Sequence, residues 1–403
     1  MLTRKLYLDR IRPFYHSNLV KIILGIRRSG KSTILRQIQL ELINQFQIEL
    51  SHIVYMNFEL IENEKYFDKT LFYAKITSII NDSKMYYLFF DEVQYVQNYD
   101  YVINSLRAEF NVSIFITGSN GTLIEDKLST IMTGRYVHFD VRPFTYEEII
   151  SFKKLKGESI EGSFVEYMKW GSMPQRFELH TEIDRFIYYQ DLYHSILFKD
   201  ILFNSSISNV DLLTRVLSFM MDNASQVFSA NSIVKFLKSE QRSIGNETIY
   251  NYVQYILDAY LMNRVQRYDI KGKKLLSTFE KYYVADLGLR EVNKHSTGMD
   301  YNILLENIVY HELASRQFAI SIGKIGDQEI DFIAEKNGQK YYFQVTYLLA
   351  SNETINREFG VYSLVNDNFK KFVISMDTLD FSRDGIIHIN IEDFLKTFDK
   401  YVN

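Results

Sequence analysis

Three short apolar runs punctuate the first 140 residues: Leu19 to Leu24 (LVKIIL), Tyr86 to Phe90 (YYLFF) and Val112 to Thr117 (VSIFIT). Each is short, rich in β-branched or aromatic side chains and without polar alternation, which predicts strands buried on both faces, as in a parallel sheet. Thr33 to Leu40 (TILRQIQL) carries apolar residues at helical spacing instead, and Tyr136 to Phe139 alternates. Residues 144 to 205 are helical in pattern. The reading changes near residue 207, where Val210 to Asn223 is one amphipathic helix, Ser229 to Leu237 a second, and Asn246 to Leu261 a third with Asn246 as N-cap. Val265 to Tyr268 and Lys274 to Thr278 flank Asp269-Ile270-Lys271-Gly272-Lys273, which predicts a hairpin. After Tyr301 an apolar helix (ILLENIVYHELA) precedes a strand at Glu329 to Ile333, a Lys336-Asn337-Gly338 turn and a strand at Tyr341 to Thr346.

Composition narrows the classes. A chain of 403 residues with 46% hydrophobic and 24% charged residues is globular and long enough for several domains. No Pro-rich or Gly/Ser-rich linker, repeat or low-complexity tract marks the boundaries. No secretory pattern opens the sequence, and no apolar run approaches the ~18 residues that span a bilayer, so a cytoplasmic chain without a membrane partner is expected. The absence of cysteine excludes disulfides, Cys-based zinc sites and thiol nucleophiles. A net charge of −4 argues against wholesale coating of nucleic acid but not against a local basic surface. Thirty Tyr and thirty Phe against three Pro fit a codon bias, so aromatic clusters are discounted as stacking platforms. The eight histidines form no ligand-spaced group; His311 and Glu312, adjacent on a helix, point in different directions.

The chemistry concentrates between the first strand and the first helix. Residues 25 to 32 read Gly25-Ile26-Arg27-Arg28-Ser29-Gly30-Lys31-Ser32, an unbroken G-x-x-x-x-G-K-S followed by Thr33. Between a strand and a helix this pattern builds a phosphate cradle from backbone N–H groups and a helix N-terminus. Lys31 would reach the β- and γ-phosphates of ATP, and the Ser32 hydroxyl would hold Mg²⁺. About sixty residues on, Asp91 and Glu92 emerge from the end of YYLFF, the edge where parallel sheets bind ligands. Asp91 would hold Mg²⁺ through water, and Glu92 would polarise the attacking water. After the third strand, Asn120 or Ser119 is either a contact to the γ-phosphate or part of a strand-ending turn. Arg135 is either an arginine finger, in cis or to a neighbouring subunit, or a surface residue. Arg27 and Arg28 either add charge near the nucleotide or face solvent.

GIRRSGKST, LFFDEVQ, ITGSN and TGRYVHFDVRPFTYEE, in this order, resemble a large prokaryotic family of AAA-type ATPases in which a C-terminal domain of unknown function follows the ATPase core. Gln94 beside Asp91-Glu92 matches that family's Asp-Glu-x-Gln pattern. Gly171-Ser172-Met173-Pro174 resembles its Gly-Gly-x-Pro turn, and Lys199-Asp200-Ile201 its Lys-Asp-Ile. The expected fold is therefore α/β: a P-loop parallel sheet over residues 1–143 and a helical lid over 144–206. Three helices with a basic hairpin describe a winged helix over 207–295, and an α/β nuclease-like domain covers 296–403.

Eleven Lys/Arg against eight Asp/Glu give residues 207–290 a net +3, with Lys271, Lys273 and Lys274 in the wing. The third helix begins with Glu247 and offers no Arg or Lys to base edges, so double-stranded DNA and a protein partner are equally open. In the last domain, Glu306 on a helix, Asp331 on a strand and a polar-x-polar triplet resemble the PD-(D/E)xK nuclease fold. Gln344 stands where that fold has an acid and Thr346 where it has its lysine, which implies an inactive site. The chain is thus expected to be a Mg²⁺-dependent ATP hydrolase, slow in isolation, whose nucleotide state moves the later domains. A nucleotide-dependent switch or scaffold and an ATP-gated nuclease are the alternatives, and an oligomer is open. No Asn-Lys-x-Asp guanine-reading motif follows the third strand, which favours ATP over GTP.

Overall fold

The computed structural model describes residues 2–119, 134–203, 207, 209–239, 241–242, 244–294 and 298–402. They form two units, Met1–Arg142 with Asp258–Tyr260, and Pro143–Leu257 with Leu261–Asn403.

The first unit is built on five strands: β1 (Val20–Leu24), β2 (Ile53–Asn57), β3 (Tyr86–Asp91), β4 (Val112–Thr117) and β5 (Tyr136–Asp140). Their order is β2-β3-β4-β1-β5, and every ladder is parallel. The continuous apolar runs are explained by burial on both faces: every residue of β1, β3 and β4 is buried. Alternate side chains feed two cores. Val20, Ile22 and Leu24 pack with Leu88, Phe90, Ile114 and Ile116 and with residues of helices α3 (Lys69–Thr77) and α4 (Tyr99–Glu109). Ile23, Phe89 and Phe115 face α1 (Lys5–Ile11) and α2 (Lys31–Asn44) on the other side. The sequence pattern does not single out β2, a five-residue edge strand whose burial alternates.

A lysine intrudes among the apolar side chains of β1. The Lys21 side chain is fully buried in β1, where its ammonium donates to Ser113 Oγ at 2.7 Å and Ser17 O at 3.1 Å and lies 4.5 Å from the Phe115 ring centre. Burial lowers its pKa to about 7.

The second unit begins with helices Tyr146–Lys156, Ser163–Trp170 and Glu182–Ser195. The first and third open on reciprocal capping boxes, Thr145 with Glu148 and Thr181 with Asp184. Helices Val210–Asp222, Ala230–Ser239 and Asn246–Asp258 follow, then β6 (Met262–Asp269) and β7 (Lys274–Val284). Residues 225–228 run along β7, with Ser225 N donating to Tyr282 O and Phe228 N to Glu280 O, each at 2.8 Å.

The hairpin does not end at a domain edge. β6 pairs in parallel with β8 (Ala319–Ile325), at Arg267 with Ile322 through Asp269 with Lys324. One seven-stranded sheet results, ordered β12-β11-β10-β9-β8-β6-β7, with β9 Gln328–Lys336, β10 Gln339–Val345, β11 Lys370–Ser375 and β12 Ile386–Asn390. It joins strands that the sequence reading assigns to 207–295 and to 296–403. A strand edge exposes a row of unpaired N–H and C=O groups, and β8 covers that edge of β6 over Arg267 to Asp269. β9 and β10 turn at Asn337 and Gly338, both with positive φ, as a two-residue hairpin requires. Among the described residues no helix is long and apolar enough to cross a membrane.

Candidate functional site

Parallel register places the end of β1, the end of β3 and the end of β4 at one edge of the first sheet. β4 lies between the other two, with Thr117 level with Ile23 and Ile116 level with Phe90. The glycine loop leaves this edge after Leu24, Asp91 closes β3, and Ser119 follows β4.

Local backbone geometry explains the loop's sequence. Gly25 has φ 137°, and a Cβ there would lie 2.2 Å from Val141 O, since Val141 N donates to Leu24 O at 2.8 Å and brings the end of β5 against the loop. Gly30 has φ 102° and is the N-cap of α2, with no side-chain cap. The first intrahelical bond runs from Ile34 N to Gly30 O, so the N–H groups of Lys31, Ser32 and Thr33 have no acceptor within the helix. They crown a helix N-terminus, where dipole and donors favour phosphate.

Lys31 is buried, and its ammonium folds back onto its own loop, donating to Gly25 O at 2.9 Å and Ile26 O at 3.2 Å. Ser29 is fully buried, and its Oγ has no hydrogen-bond partner. A group bearing acceptor oxygens fits this cradle, with backbone donors, an ammonium on a flexible stem and a spare hydroxyl. Of the two loop arginines, Arg27 pairs with Glu59 at 3.4 Å, while Arg28, at φ 67°, is exposed. Ile26 is buried.

The acidic pair is held by a residue that sequence reading passed over. Thr117, fully buried, donates from Oγ1 to Asp91 Oδ1 at 2.5 Å, and the same oxygen accepts from Glu92 N at 2.9 Å. Tyr55 OH donates to Asp91 Oδ2 at 2.8 Å. Thr117 and Tyr55 thus each donate to one oxygen of Asp91 and fix the orientation of its carboxylate. Glu92 sits in the left-handed region, φ 56°, which turns its side chain out of the strand line. Gln94 Nε2 donates to Glu92 Oε2 at 2.6 Å, the physical content of the Asp-Glu-x-Gln spacing. Burial raises the Glu92 pKa, opposed by the Lys31 charge and the Gln94 bond.

Arg4 was also missed. It is 2% exposed, and its guanidinium donates to Ser29 O at 3.1 Å and Arg142 O at 3.0 Å, supporting the loop from below. A polar residue ending an apolar strand beside the Asp-Glu strand is a signal that would have found Thr117. Nothing local marks Arg4, which lies 25 residues before its partner.

One predicted residue is not brought to the loop. Arg135 is exposed and precedes β5; its O accepts from Val20 N at 3.0 Å, at the start of β1. The loop follows the opposite end, four residues and about 13 Å along the strand, so the cis form of the arginine finger is corrected by the parallel register. Asn120 lies outside the described residues.

A separate buried junction explains the Gly-Ser-Met-Pro turn. Asp286 accepts from Ser172 N at 2.5 Å and Gly288 N at 2.9 Å, and a Cβ on Gly171 would lie 2.0 Å from its carboxylate oxygen. The turn has a structural role in the second unit, and the charge of buried Arg176 acts on the same carboxylate.

Comparison with known proteins agrees with this geometry. The AAA domain matches residues 17–150, and a domain of unknown function matches 161–296. An uncharacterized protein of Haemophilus influenzae is 33% identical over 400 residues, covering 98% of each chain. One from Methanocaldococcus jannaschii is 28% identical over 398 residues, covering 93% of this chain and 85% of that one. Among solved structures, a Walker-type ATPase of Pyrococcus abyssi is similar in fold, with a TM-score of 0.52 at 15% identity, covering 72% of this chain and 95% of that one. The chain belongs to the P-loop AAA-domain family that includes the Haemophilus influenzae protein, with a domain of unknown function behind the AAA core.

Proposed function

We propose that the chain binds ATP with Mg²⁺ at residues 25–33 and hydrolyses it. The observation that carries this reading is the Thr117 bridge, which holds Asp91 and the Glu92 backbone at the sheet edge from which the phosphate loop emerges. Lys31 exchanges its bonds to Gly25 O and Ile26 O for phosphate oxygens. The N–H groups of Lys31, Ser32 and Thr33 receive the β-phosphate. Ser32 and, through water, Asp91 are the residues that would hold Mg²⁺, which when bound neutralises charge on the β- and γ-phosphate oxygens. Glu92, its pKa raised by burial, orients the attacking water and accepts its proton. Arg135, at the opposite edge of its own sheet, serves a neighbouring copy, and turnover then depends on assembly. The three-helix and hairpin module is the element that nucleotide state repositions, with double-stranded DNA or a protein surface as its partner.

The test is ATP hydrolysis against protein concentration in Mg²⁺, with and without double-stranded DNA, beside Lys31→Ala and Glu92→Gln. Lys31→Ala is expected to lose ATP binding. Glu92→Gln is expected to keep binding and lose turnover. An arginine supplied in trans is worth about 10³–10⁵ in rate, so specific activity should climb steeply with concentration. Failure of the wild-type chain to bind an ATP analogue in Mg²⁺ would sink the reading. Tight binding with no turnover at any concentration would replace hydrolysis by a nucleotide switch.

A further inference from the structure

The second unit contains a buried charge cluster. Glu306 is on helix Tyr301–Ser315, Glu329 and Asp331 are on β9, and Lys281 reaches them from β7. The Lys281 ammonium lies 2.9 Å from Glu306 Oε1, 2.7 Å from Glu329 Oε1 and 3.8 Å from Asp331 Oδ1. Lys281 is 4% exposed and Glu306 7%, and Tyr283 OH donates to Glu306 Oε1 at 2.7 Å.

Glu306 and Asp331 are the acids that the resemblance to a nuclease-like fold assigns to a divalent ion, and Glu329 lies beside them on β9, but each is occupied by protein. Asp331 Oδ2 accepts from Val345 N at 2.8 Å. Gln344, at the position where an acid would complete the ligand set, is used structurally. Its Oε1 accepts from Asp331 N and its Nε2 donates to Glu358 Oε2, both at 2.8 Å. Glu358 Oε1 in turn accepts from Arg357, at 2.7 Å and 3.0 Å. Thr346, where a nuclease-like triplet would carry its lysine, is buried and bonds Ile374 O through its backbone N.

We propose that Lys281 is the resident cation of this constellation: its ammonium occupies the place of a divalent ion among Glu306, Glu329 and Asp331, so the native site is closed to metal and removal of the amine opens it. A buried carboxylate cluster is stable only when a cation offsets its mutual repulsion. An ammonium with three donors provides that charge at N–O distances of 2.7 to 2.9 Å, where Mg²⁺ would need about 2.0–2.1 Å and near-octahedral oxygen ligands. Burial works against the Lys281 charge, but Glu306, Asp331 and Glu329 outweigh it and raise its pKa. With Lys281 in place no group of three His, Cys, Asp or Glu among the described residues converges to hold a metal, so these carboxylates would close on an ion only once the amine is removed. The lysine absent from position 346 is thus replaced from a distant strand, in a place where it blocks the metal instead of assisting it.

The experiment is Mn²⁺ binding to the nucleotide-free full-length protein, read from the free-ion electron paramagnetic resonance signal. Wild type and Glu306→Gln should bind Mn²⁺ alike, since no site depends on Glu306. Lys281→Ala should gain one site per chain, and Lys281→Ala with Glu306→Gln should lose it again. Lys281→Arg, which keeps a cation, should stay as wild type. A Mn²⁺ site in the wild type that Glu306→Gln removes would overturn the proposal, as would a folded Lys281→Ala chain that gains none. Should Lys281→Ala unfold, Mn²⁺ must restore its native thermal transition, and failure to restore it counts against the proposal. None of these outcomes depends on ATP binding.

Discussion

Replacing Thr117 by Val removes one hydroxyl at nearly constant volume and tests the bridge beneath the acidic pair. In the wild type that oxygen donates to Asp91 at 2.5 Å and accepts from Glu92 N at 2.9 Å, in a fully buried position. A hydrogen bond to a charged partner is worth about 1.5–3 kcal/mol, and a buried N–H left without an acceptor costs about 1–3 kcal/mol. The two losses share one site and are not additive, so we expect a net destabilisation of about 2–4 kcal/mol. For a unit of this size each kcal/mol lowers the transition by about 2–4 °C, which predicts a fall of roughly 5–15 °C. The assay is thermal unfolding of the full chain by circular dichroism, with ATP-analogue affinity and turnover measured on the same samples. Turnover should fall about tenfold or more, because Asp91 and Glu92 lose their common anchor, while affinity changes only a few-fold, because the loop is untouched. Thr117→Ser keeps the oxygen and should retain most of both. A Thr117→Val chain that melts within about 1 °C of wild type and turns over ATP at the same rate would refute the reasoning.

Two further predictions concern buried charge. Lys21, at about 7 in the folded chain, binds a proton less tightly than in the unfolded chain, so stability should rise with pH between about 7 and 10.5. Lys21→Met should abolish that rise, about 2–4 kcal/mol in all, and a wild-type urea midpoint that stays level across this window would count against it. Glu312 shifts the other way: burial, offset by Arg316 at 2.7 Å, raises its pKa to about 7. The folded chain then holds the proton more tightly, so this group's contribution falls as pH rises from about 4.5 to 7. Glu312→Gln should therefore compare better with wild type at pH 8 than at pH 5, by up to about 3 kcal/mol, and equal differences at both pH values would exclude the shift.

The proposed nucleotide site was legible because its parts are local. Gly25 through Thr33 form the continuous loop and helix start that follow β1, and Asp91-Glu92 one strand end, so residue type and spacing alone carry their chemistry. The same holds for the two-residue Asn337-Gly338 turn and for the continuous apolar strands of a sheet buried on both faces. What the sequence could not supply is which distant residues complete each site. Thr117 reads as the polar end of a strand until β4 is seen between β3 and β1. Arg135 reads as a finger in cis or in trans until parallel pairing sets it beside Val20, at the opposite end of the sheet from its own loop. The hairpin reads as a free wing until β8 is found along β6. Lys281 is one lysine among many until the sheet brings it to Glu306, 25 residues on, and to Glu329 and Asp331 beyond. Local spacing follows from backbone periodicity and is written in the chain. Strand order, register and the pairing of buried charges arise from satisfying hydrogen bonds and electrostatics across long separations, and only the folded structure decides those.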